Sequence, residues 1–117
     1  MPKTILVVEN EVRGREIITQ FLREANYEVQ EADDGVSAIA LLDNRPFDLV
    51  ICDLVMPRIG ALEVISYLNS RALSTAVILI TGHPELVNNK GLGHLPVFSK
   101  PFNMYDLLHK VEEMLGK

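Results

Sequence analysis

The sequence has no tryptophan, few aromatic residues and a single cysteine among its 117 residues. One cysteine cannot form a disulfide within the chain, and Cys52 lies inside an apolar run, so we expect a buried, unreactive thiol. No apolar run approaches the roughly 18 residues that a membrane-spanning helix needs, and the first residues lack the pattern of a signal peptide. These absences disfavour a disulfide-stabilised secreted protein and a membrane protein, and they predict a cytoplasmic location.

The chain also lacks an excess of positive charge. Lysine and arginine together number 11 against 16 aspartates and glutamates, which gives a formal net charge of -5. The basic residues are dispersed along the chain, so direct binding to nucleic acid is not expected. Two phosphate-binding loops are missing as well, since the sequence has neither G-x-x-x-x-G-K-S/T nor a G-x-G-x-x-G after its first apolar run. A nucleotide-binding or flavin-binding enzyme is therefore disfavoured.

What the sequence does have is a series of short apolar runs that alternate with segments of helical periodicity. The runs predict strands at Thr4–Val8, Tyr27–Ala32, Leu49–Cys52, Ala76–Ile80 and Pro96–Ser99. Apolar residues at helical spacing predict helices from Val12 to near Asn26, from Val36 to Asp43, from Leu62 to Arg71 and from Met104 to Leu115.

A fourth helix, between the last two strands, has the weakest signal. Pro84–Val87 can begin a helix, but residues 88–93 include two asparagines and two glycines, which are poor helix formers. The alternation of strands and helices implies a parallel sheet with helices on both faces. We therefore predict an α/β fold, a three-layer, doubly wound five-stranded parallel sheet with about five helices, of which the fourth is short or mobile.

Polar residues follow four of the predicted strands. They are Glu9 and Asn10 after the first strand, Asp53 after the third, Thr81 after the fourth and Lys100 after the fifth. Because the carboxyl ends of parallel strands share one edge of the sheet, these side chains are expected to converge on one pocket. Taken alone, Asp53 is as readily a loop or helix-capping residue as a functional acid. The convergence favours the functional interpretation.

A carboxylate, a hydroxyl and an ammonium group at one edge suit the handling of a phosphoryl group. The carboxylate of Asp53 can act as a nucleophile and form an acyl phosphate. Such a transfer depends on positioning and charge neutralisation, normally by a divalent cation and a lysine. Oxygen ligands with retained waters favour Mg²⁺, and Thr81 and Lys100 are then candidates for binding the phosphate oxygens.

Four motifs carry a resemblance to a known family. They are Ile-Leu-Val-Val-Glu-Asn-Glu from Ile5, Asp-Leu-Val-Met-Pro from Asp53, Ile-Thr-Gly-His from Ile80 and Ser-Lys-Pro-Phe from Ser99. In this order and on this β/α pattern, the sequence resembles the bacterial response-regulator receiver domain of two-component systems over essentially its whole length. The resemblance implies a flavodoxin-like sheet of strand order 2-1-3-4-5, and a single receiver domain over residues 1–117 with no output domain.

The same resemblance implies a role for each polar residue at the sheet edge. Asp53 matches the residue that a histidine kinase or histidine phosphotransfer protein phosphorylates, Thr81 matches the switch hydroxyl, and Lys100 matches the phosphate-binding lysine. The ligands implied for Mg²⁺, or for Mn²⁺ in its place, are Glu9, Asn10, Asp53 and the backbone carbonyl of Val55. A cis Lys100–Pro101 peptide bond is also implied.

The function implied is phosphorelay signal transduction, in which Mg²⁺-dependent phosphorylation of Asp53 switches a surface for a downstream protein partner. Such a protein is not an enzyme in the usual sense, since its reactions are self-phosphorylation and slow autodephosphorylation at Asp53. Leu108 and Val111 share one face of the last helix, which suits pairing in a homodimer. The alternative is a degenerate receiver-like interaction module that keeps the fold and is not phosphorylated.

The sequence departs from the family pattern around the predicted site. Asn10 stands where the family has a second acid, which predicts weaker Mg²⁺ binding. Val97 replaces a tyrosine or phenylalanine that rotates with the switch, and strand alternation places Phe98 on the face opposite to Val97. The segment from Thr81 to Lys100 is also shorter than usual, which predicts a reduced fourth helix.

Four other positions carry predictions of their own. The apolar Val55 is expected to hinder an attacking water and to slow dephosphorylation. Glu11 is either an additional metal ligand or an exposed acid in the first turn of a helix, where acids are favourable. Asp33 and Asp34 stand beside Gly35 and predict a turn.

Overall fold

The computed structural model describes residues 2–71 and 73–116. Strands and helices alternate along the chain, as the apolar runs predicted. They are β1 (Thr4–Val8), α1 (Val12–Glu24), β2 (Glu28–Ala32), α2 (Gly35–Asn44), β3 (Leu49–Asp53), α3 (Ala61–Ser70), β4 (Ala76–Thr81), α4 (Leu86–Asn89), β5 (Val97–Ser99) and α5 (Met104–Leu115).

The strands form one parallel sheet in the order β2-β1-β3-β4-β5, which confirms the predicted topology. In the register, Val8 of β1 pairs with Cys52 of β3, and Asp53 of β3 pairs with Ile80 of β4. The carboxyl ends of these three strands therefore meet at one edge of the sheet. The polar residues that were predicted to come directly after the strands lie at this edge.

Helices cover both faces of the sheet because successive side chains of a strand point to opposite sides. In β3, Leu49 and Ile51 pack in a cluster with α1 and α5, whereas Val50 and Cys52 pack in a cluster with α2, α3 and α4. All four side chains are at most 1% exposed. Burial on both faces accounts for the continuous apolar run at this point of the sequence.

The composition of the segment before β5 has the expected effect on α4. This helix is a single turn, Leu86–Asn89, and Gly91 follows with a positive φ of 73°. In the next strand, Val97 packs in the cluster with α2, α3 and α4, whereas Phe98 packs in the cluster with α1 and α5. The short fourth helix and the opposite orientations of Val97 and Phe98 are both confirmed.

Two further expectations agree with the fold. Cys52 is 1% exposed, and burial together with the charges of Asp53 and Glu9 raises the pKa of its thiol well above the usual value. The Lys100–Pro101 peptide bond is cis.

Across residues 2–71 and 73–116, every helix is too short or too polar to span a membrane.

Candidate functional site

Lys100 holds two carboxylates together at the carboxyl edge of the sheet. Its Nζ donates to Oε1 of Glu9 at 2.6 Å and to Oδ2 of Asp53 at 2.7 Å. Both acids are nearly inaccessible to solvent, since Glu9 is 2% exposed and Asp53 is 6% exposed. Two buried carboxylates in one site repel each other, and the ammonium group between them offsets that repulsion. The structure thus brings three of the predicted site residues into direct contact.

The period of the strands explains why these three side chains meet. Each lies two positions beyond a side chain that packs against α1 and α5, namely Val7, Ile51 and Phe98. Residues two apart in a strand share a face, so Glu9, Asp53 and Lys100 continue the same face beyond the apolar core. On this face of the sheet, apolar packing is therefore replaced by ion pairs within two residues along each strand.

Glu9 is fixed by further contacts beyond Lys100. Its Oε2 accepts a hydrogen bond from the backbone N–H of Glu11 at 2.9 Å, and its backbone carbonyl accepts one from a guanidinium nitrogen of Arg15 at 2.8 Å. The Nε of Arg15 also donates to Oε1 of Glu31 in β2 at 3.0 Å. Sequence reasoning missed Arg15, because its spacing on α1 gives no sign of which strand end it reaches.

The contacts of the Glu11 side chain distinguish between its two interpretations, a metal ligand and an acid at the start of a helix. The Glu11 carboxylate accepts a hydrogen bond from the backbone N–H of Gly14 at 2.7 Å and forms the N-cap of α1. The residue is exposed. These contacts favour the interpretation as an acid at a helix terminus.

Thr81 lies next to this cluster, at the end of β4. It follows Ile80, the residue that pairs with Asp53, and it is 0% exposed. Its hydroxyl oxygen accepts a hydrogen bond from the backbone N–H of His83 at 2.9 Å. A Cβ added at Gly82 would meet no heavy atom within 4 Å, so the space around Gly82 is open.

The other two predicted ligand positions flank the acids. The backbone N–H of Val55 donates to Oδ1 of Asp53 at 3.2 Å, and the Val55 side chain is 50% exposed. Asn10 follows Glu9 and is exposed. The backbone near Val55 is therefore tied to the central acid while its side chain faces solvent.

The ammonium group of Lys100 stays charged in this setting. Burial acts to lower its pKa, but the hydrogen bonds and negative charges of Asp53 and Glu9 outweigh burial and raise the pKa above its ordinary value of 10.5. A positive charge is therefore maintained beside Asp53 at neutral pH.

The donor set can be compared with the needs of a divalent cation. Among residues 2–71 and 73–116, no three His, Cys, Asp or Glu side chains are grouped so that they could hold a metal ion. Two carboxylates that share the Lys100 ammonium group still match Mg²⁺, which usually takes one or two carboxylates, retained waters and phosphate oxygens. The residues present fit Mg²⁺ better than a metal that requires a complete protein cage.

The sequence model of the response regulator receiver domain matches residues 5–112 of this chain. The chain belongs to the response regulator receiver family. Response regulator receiver protein CpdR of Brucella abortus is 31% identical to this receiver over 116 residues, which make up 97% of each chain. Response regulator MprA of a Mycobacterium species is 33% identical over 120 residues, which cover 100% of this receiver and 52% of MprA. The receiver thus spans about half the length of MprA.

Solved structures agree with this assignment. Response regulator TrrA of Thermotoga maritima, in complex with Mg²⁺-BeF, has a TM-score of 0.87 and 31% identity, and the match covers 96% of this receiver and 98% of TrrA. The receiver domain of the hybrid histidine kinase CckA has a TM-score of 0.82 and 27% identity, with coverage of 96% and 98%. These similarities assign the chain to the receiver domains of two-component systems.

Proposed function

We propose that this receiver accepts a phosphoryl group on Asp53 from a histidine kinase or a histidine phosphotransfer protein, and that the modified site switches a surface for a downstream partner. The observation that carries the proposal is the contact of the Lys100 ammonium group with Asp53 at 2.7 Å and with Glu9 at 2.6 Å. A cation in this position can neutralise both the attacking carboxylate and the incoming phosphoryl oxygens.

In the transfer, a carboxylate oxygen of Asp53 attacks the phosphorus of a phosphohistidine. A P–O bond forms as the P–N bond breaks, and the imidazole, protonated at its other nitrogen, leaves as the neutral ring. Lys100 stays protonated throughout, since its neighbours raise its pKa. Its contribution is electrostatic, and the nucleophile is Asp53.

Glu9, Asn10, Asp53 and the Val55 carbonyl would hold Mg²⁺, or Mn²⁺ in its place. When bound, the metal neutralises charge on the phosphoryl oxygens. Glu9 and Asp53 would supply carboxylate ligands, and Asn10 would supply a neutral amide oxygen. A carboxylate at position 10 would bind the metal more strongly than this amide.

The proposed switch uses the free hydroxyl hydrogen of Thr81. Its oxygen accepts from the N–H of His83, and the same hydroxyl can donate its hydrogen to a phosphoryl oxygen on Asp53. The segment from Thr81 into the short α4 is then the first to respond. Position 97 is a valine, and the neighbouring Phe98 packs on the opposite face of β5. The proposed switch therefore involves no aromatic side chain at position 97.

A cleft beside the site offers a place for the protein that donates the phosphoryl group. It has a volume of about 300 Å³ and runs from Glu9 and Lys100 past Ile17 to Phe102 and Met104. Ile17 is 58% exposed and lines this cleft together with Ile18, Phe102 and Met104, so the cleft offers an apolar patch, larger than a single side chain, for contact with a partner protein.

The test is the intact mass of the protein after incubation with Mg²⁺ and either acetyl phosphate or a phosphorylated kinase. We expect the wild type to gain the mass of one phosphoryl group and Asp53→Asn to gain none. Asp33→Asn is the matched control, because it makes the same charge change at an exposed acid of the β2–α2 turn. It should be phosphorylated like the wild type.

Two results would contradict the proposal. A wild type that gains no mass with either donor at millimolar Mg²⁺ would favour the alternative, a receiver-like interaction module without phosphorylation. A mass gain that persists in Asp53→Asn would place the modification on another residue.

A further inference from the structure

The loop that joins β3 to α3 is fastened to the start of α2. Two contacts make this connection, and both lie in the second half of the loop. Arg58 forms an ion pair with Asp34, and the carbonyl of Ile59 accepts a hydrogen bond from the N–H of Gly35 at 2.9 Å. The sequence identified Asp34 and Gly35 only as part of a turn.

Both carboxylate oxygens of Asp34 are engaged. Its Oδ1 accepts from the backbone N–H of Ser37 at 2.9 Å and so caps α2, while its Oδ2 accepts from Nε of Arg58 at 2.8 Å and from a second guanidinium nitrogen. The bond from Ser37 and then the bond from Arg58 lower the pKa of Asp34. The pair is therefore ionised on both sides at neutral pH, as charge-assisted hydrogen bonds require.

Gly35 shows how closely the two backbones approach. A Cβ added at this residue would overlap the backbone carbonyl of Ile59. A glycine is needed here because any larger residue would push the loop away from α2. The ion pair and this backbone contact act on adjacent residues of the loop, Arg58 and Ile59.

The first half of the loop is fastened at the functional site. The N–H of Leu54 donates to the carbonyl of Ile80 at 2.9 Å, and the N–H of Val55 donates to Asp53 at 3.2 Å. The stretch between Val55 and Arg58 is therefore held at one end by the site and at the other end by α2. The carbonyl of Val55, which the proposed function assigns as a metal ligand, lies at the start of this stretch.

We propose that Asp34 and Arg58 are positioning residues for the metal site, because their ion pair holds the β3–α3 loop with the Val55 carbonyl in place before the metal binds. The inference rests on the proposed function for the identity of the ligand, Mg²⁺. A loop that is already ordered loses less conformational freedom on binding, so the metal binds more tightly.

For Arg58, a positioning role and a simple charge effect predict opposite changes in Mg²⁺ affinity on substitution. By Coulomb's law alone, Asp34→Asn removes a negative charge and weakens Mg²⁺ binding, whereas Arg58→Met removes a positive charge and strengthens it. If the pair acts by holding the loop, both substitutions weaken Mg²⁺ binding, by roughly three- to tenfold for the ordering of a few residues. The double variant should be no weaker than either single variant, because the two changes break the same contact.

The experiment combines calorimetric titration of Mg²⁺ with hydrogen exchange of residues 54–60 measured without metal. Asn at position 34 retains an oxygen that can accept from Ser37, so the cap of α2 remains. Arg58→Lys keeps the charge and should restore part of the affinity. Arg71→Met is the matched control, since it breaks the exposed ion pair between Arg71 and Asp43, which joins α3 to α2 at the opposite ends of these helices.

Equal weakening in Asp34→Asn and Arg58→Met, together with faster exchange of the loop and an unchanged melting temperature, supports the inference. Opposite shifts in Mg²⁺ affinity would overturn it in favour of a through-space charge effect. Unchanged affinity and unchanged exchange would reduce the pair to an ordinary surface salt bridge. A wild type that binds no Mg²⁺ would overturn the proposed function, and the exchange measurement would still decide whether the pair holds the loop.

Discussion

The ammonium nitrogen of Lys100 lies 2.7 Å from Oδ2 of Asp53, and the same nitrogen lies 2.6 Å from Oε1 of Glu9. One cation therefore faces both carboxylates that we propose as metal ligands. A Mg²⁺ ion held by these carboxylates would be repelled by Lys100, although both cations would attract a phosphoryl group. The balance between these two cations underlies the first of the predictions that follow.

Replacing Lys100 with methionine should tighten Mg²⁺ binding while it slows phosphorylation. A unit charge in contact with a divalent ion in water corresponds to ~2 kcal/mol, so the gain in affinity is expected to be about tenfold or more. Titration calorimetry gives the affinity, and mass spectrometry with acetyl phosphate gives the rate. Lys110→Met, which removes an α5 lysine paired with Glu113, is the control. Unchanged Mg²⁺ affinity in Lys100→Met would show that the two cations do not compete.

The contribution of Lys100 to stability should disappear in alkali. Because the folded protein raises the pKa of Lys100 above 10.5, the stabilisation is fully present below pH 10.5 and is lost as the pH rises through the higher folded value. The difference in unfolding free energy between the wild type and Lys100→Met should therefore shrink above pH 10.5. Urea unfolding of both proteins across this range, in the presence of a chelator, measures it. A difference that stays constant into strong alkali would contradict this assignment.

Asn10→Asp should strengthen Mg²⁺ binding. The substitution adds a negative charge at an exposed position beside Glu9, and direct ligation by a carboxylate makes an increase of about tenfold reasonable. Asn89→Asp adds the same charge at the end of α4 and serves as the control. If both variants shift the affinity equally, the effect comes from net charge and position 10 is no ligand.

Val55→Asn should speed the loss of the phosphoryl group from Asp53. The Val55 side chain is 50% exposed beside the acid, where an amide can bind and orient a water that valine excludes. One added hydrogen bond is worth ~0.5–1.5 kcal/mol, so the half-life should shorten by roughly two- to tenfold. The decay of the phosphorylated mass after removal of the donor measures the rate. Val36→Asn, at an exposed valine on α2, is the control, and a longer half-life in Val55→Asn would refute the steric explanation.

Local patterns in the sequence were sufficient to predict the alternating elements and the parallel sheet, whereas the strand order came from the resemblance to receiver domains. A buried parallel strand such as Leu49–Cys52 needs apolar side chains on both faces, and that need appears directly as a continuous run. The meeting of Asp53 and Lys100 at one edge follows from topology, since parallel strands share their carboxyl ends. The weak α4 was also visible, because residues 88–93 contain poor helix formers.

The contacts that orient the site were not visible in the sequence. Arg15 reaches the carbonyl of Glu9 across the turn between β1 and α1, and Arg58 reaches Asp34 from 24 residues away. Nothing in the local pattern distinguishes these arginines from exposed ones. Their partners are set by the packing of separate elements, which exists only in the folded chain.

The two edge strands differ in a way that bears on aggregation. β5 has only three residues, and β2 carries the polar side chains Glu28, Gln30 and Glu31 along its five residues. Short edges and charged edges both discourage another chain from adding a strand to the sheet. A receiver with these edges is therefore poorly suited to pairing strand to strand with a second copy of itself.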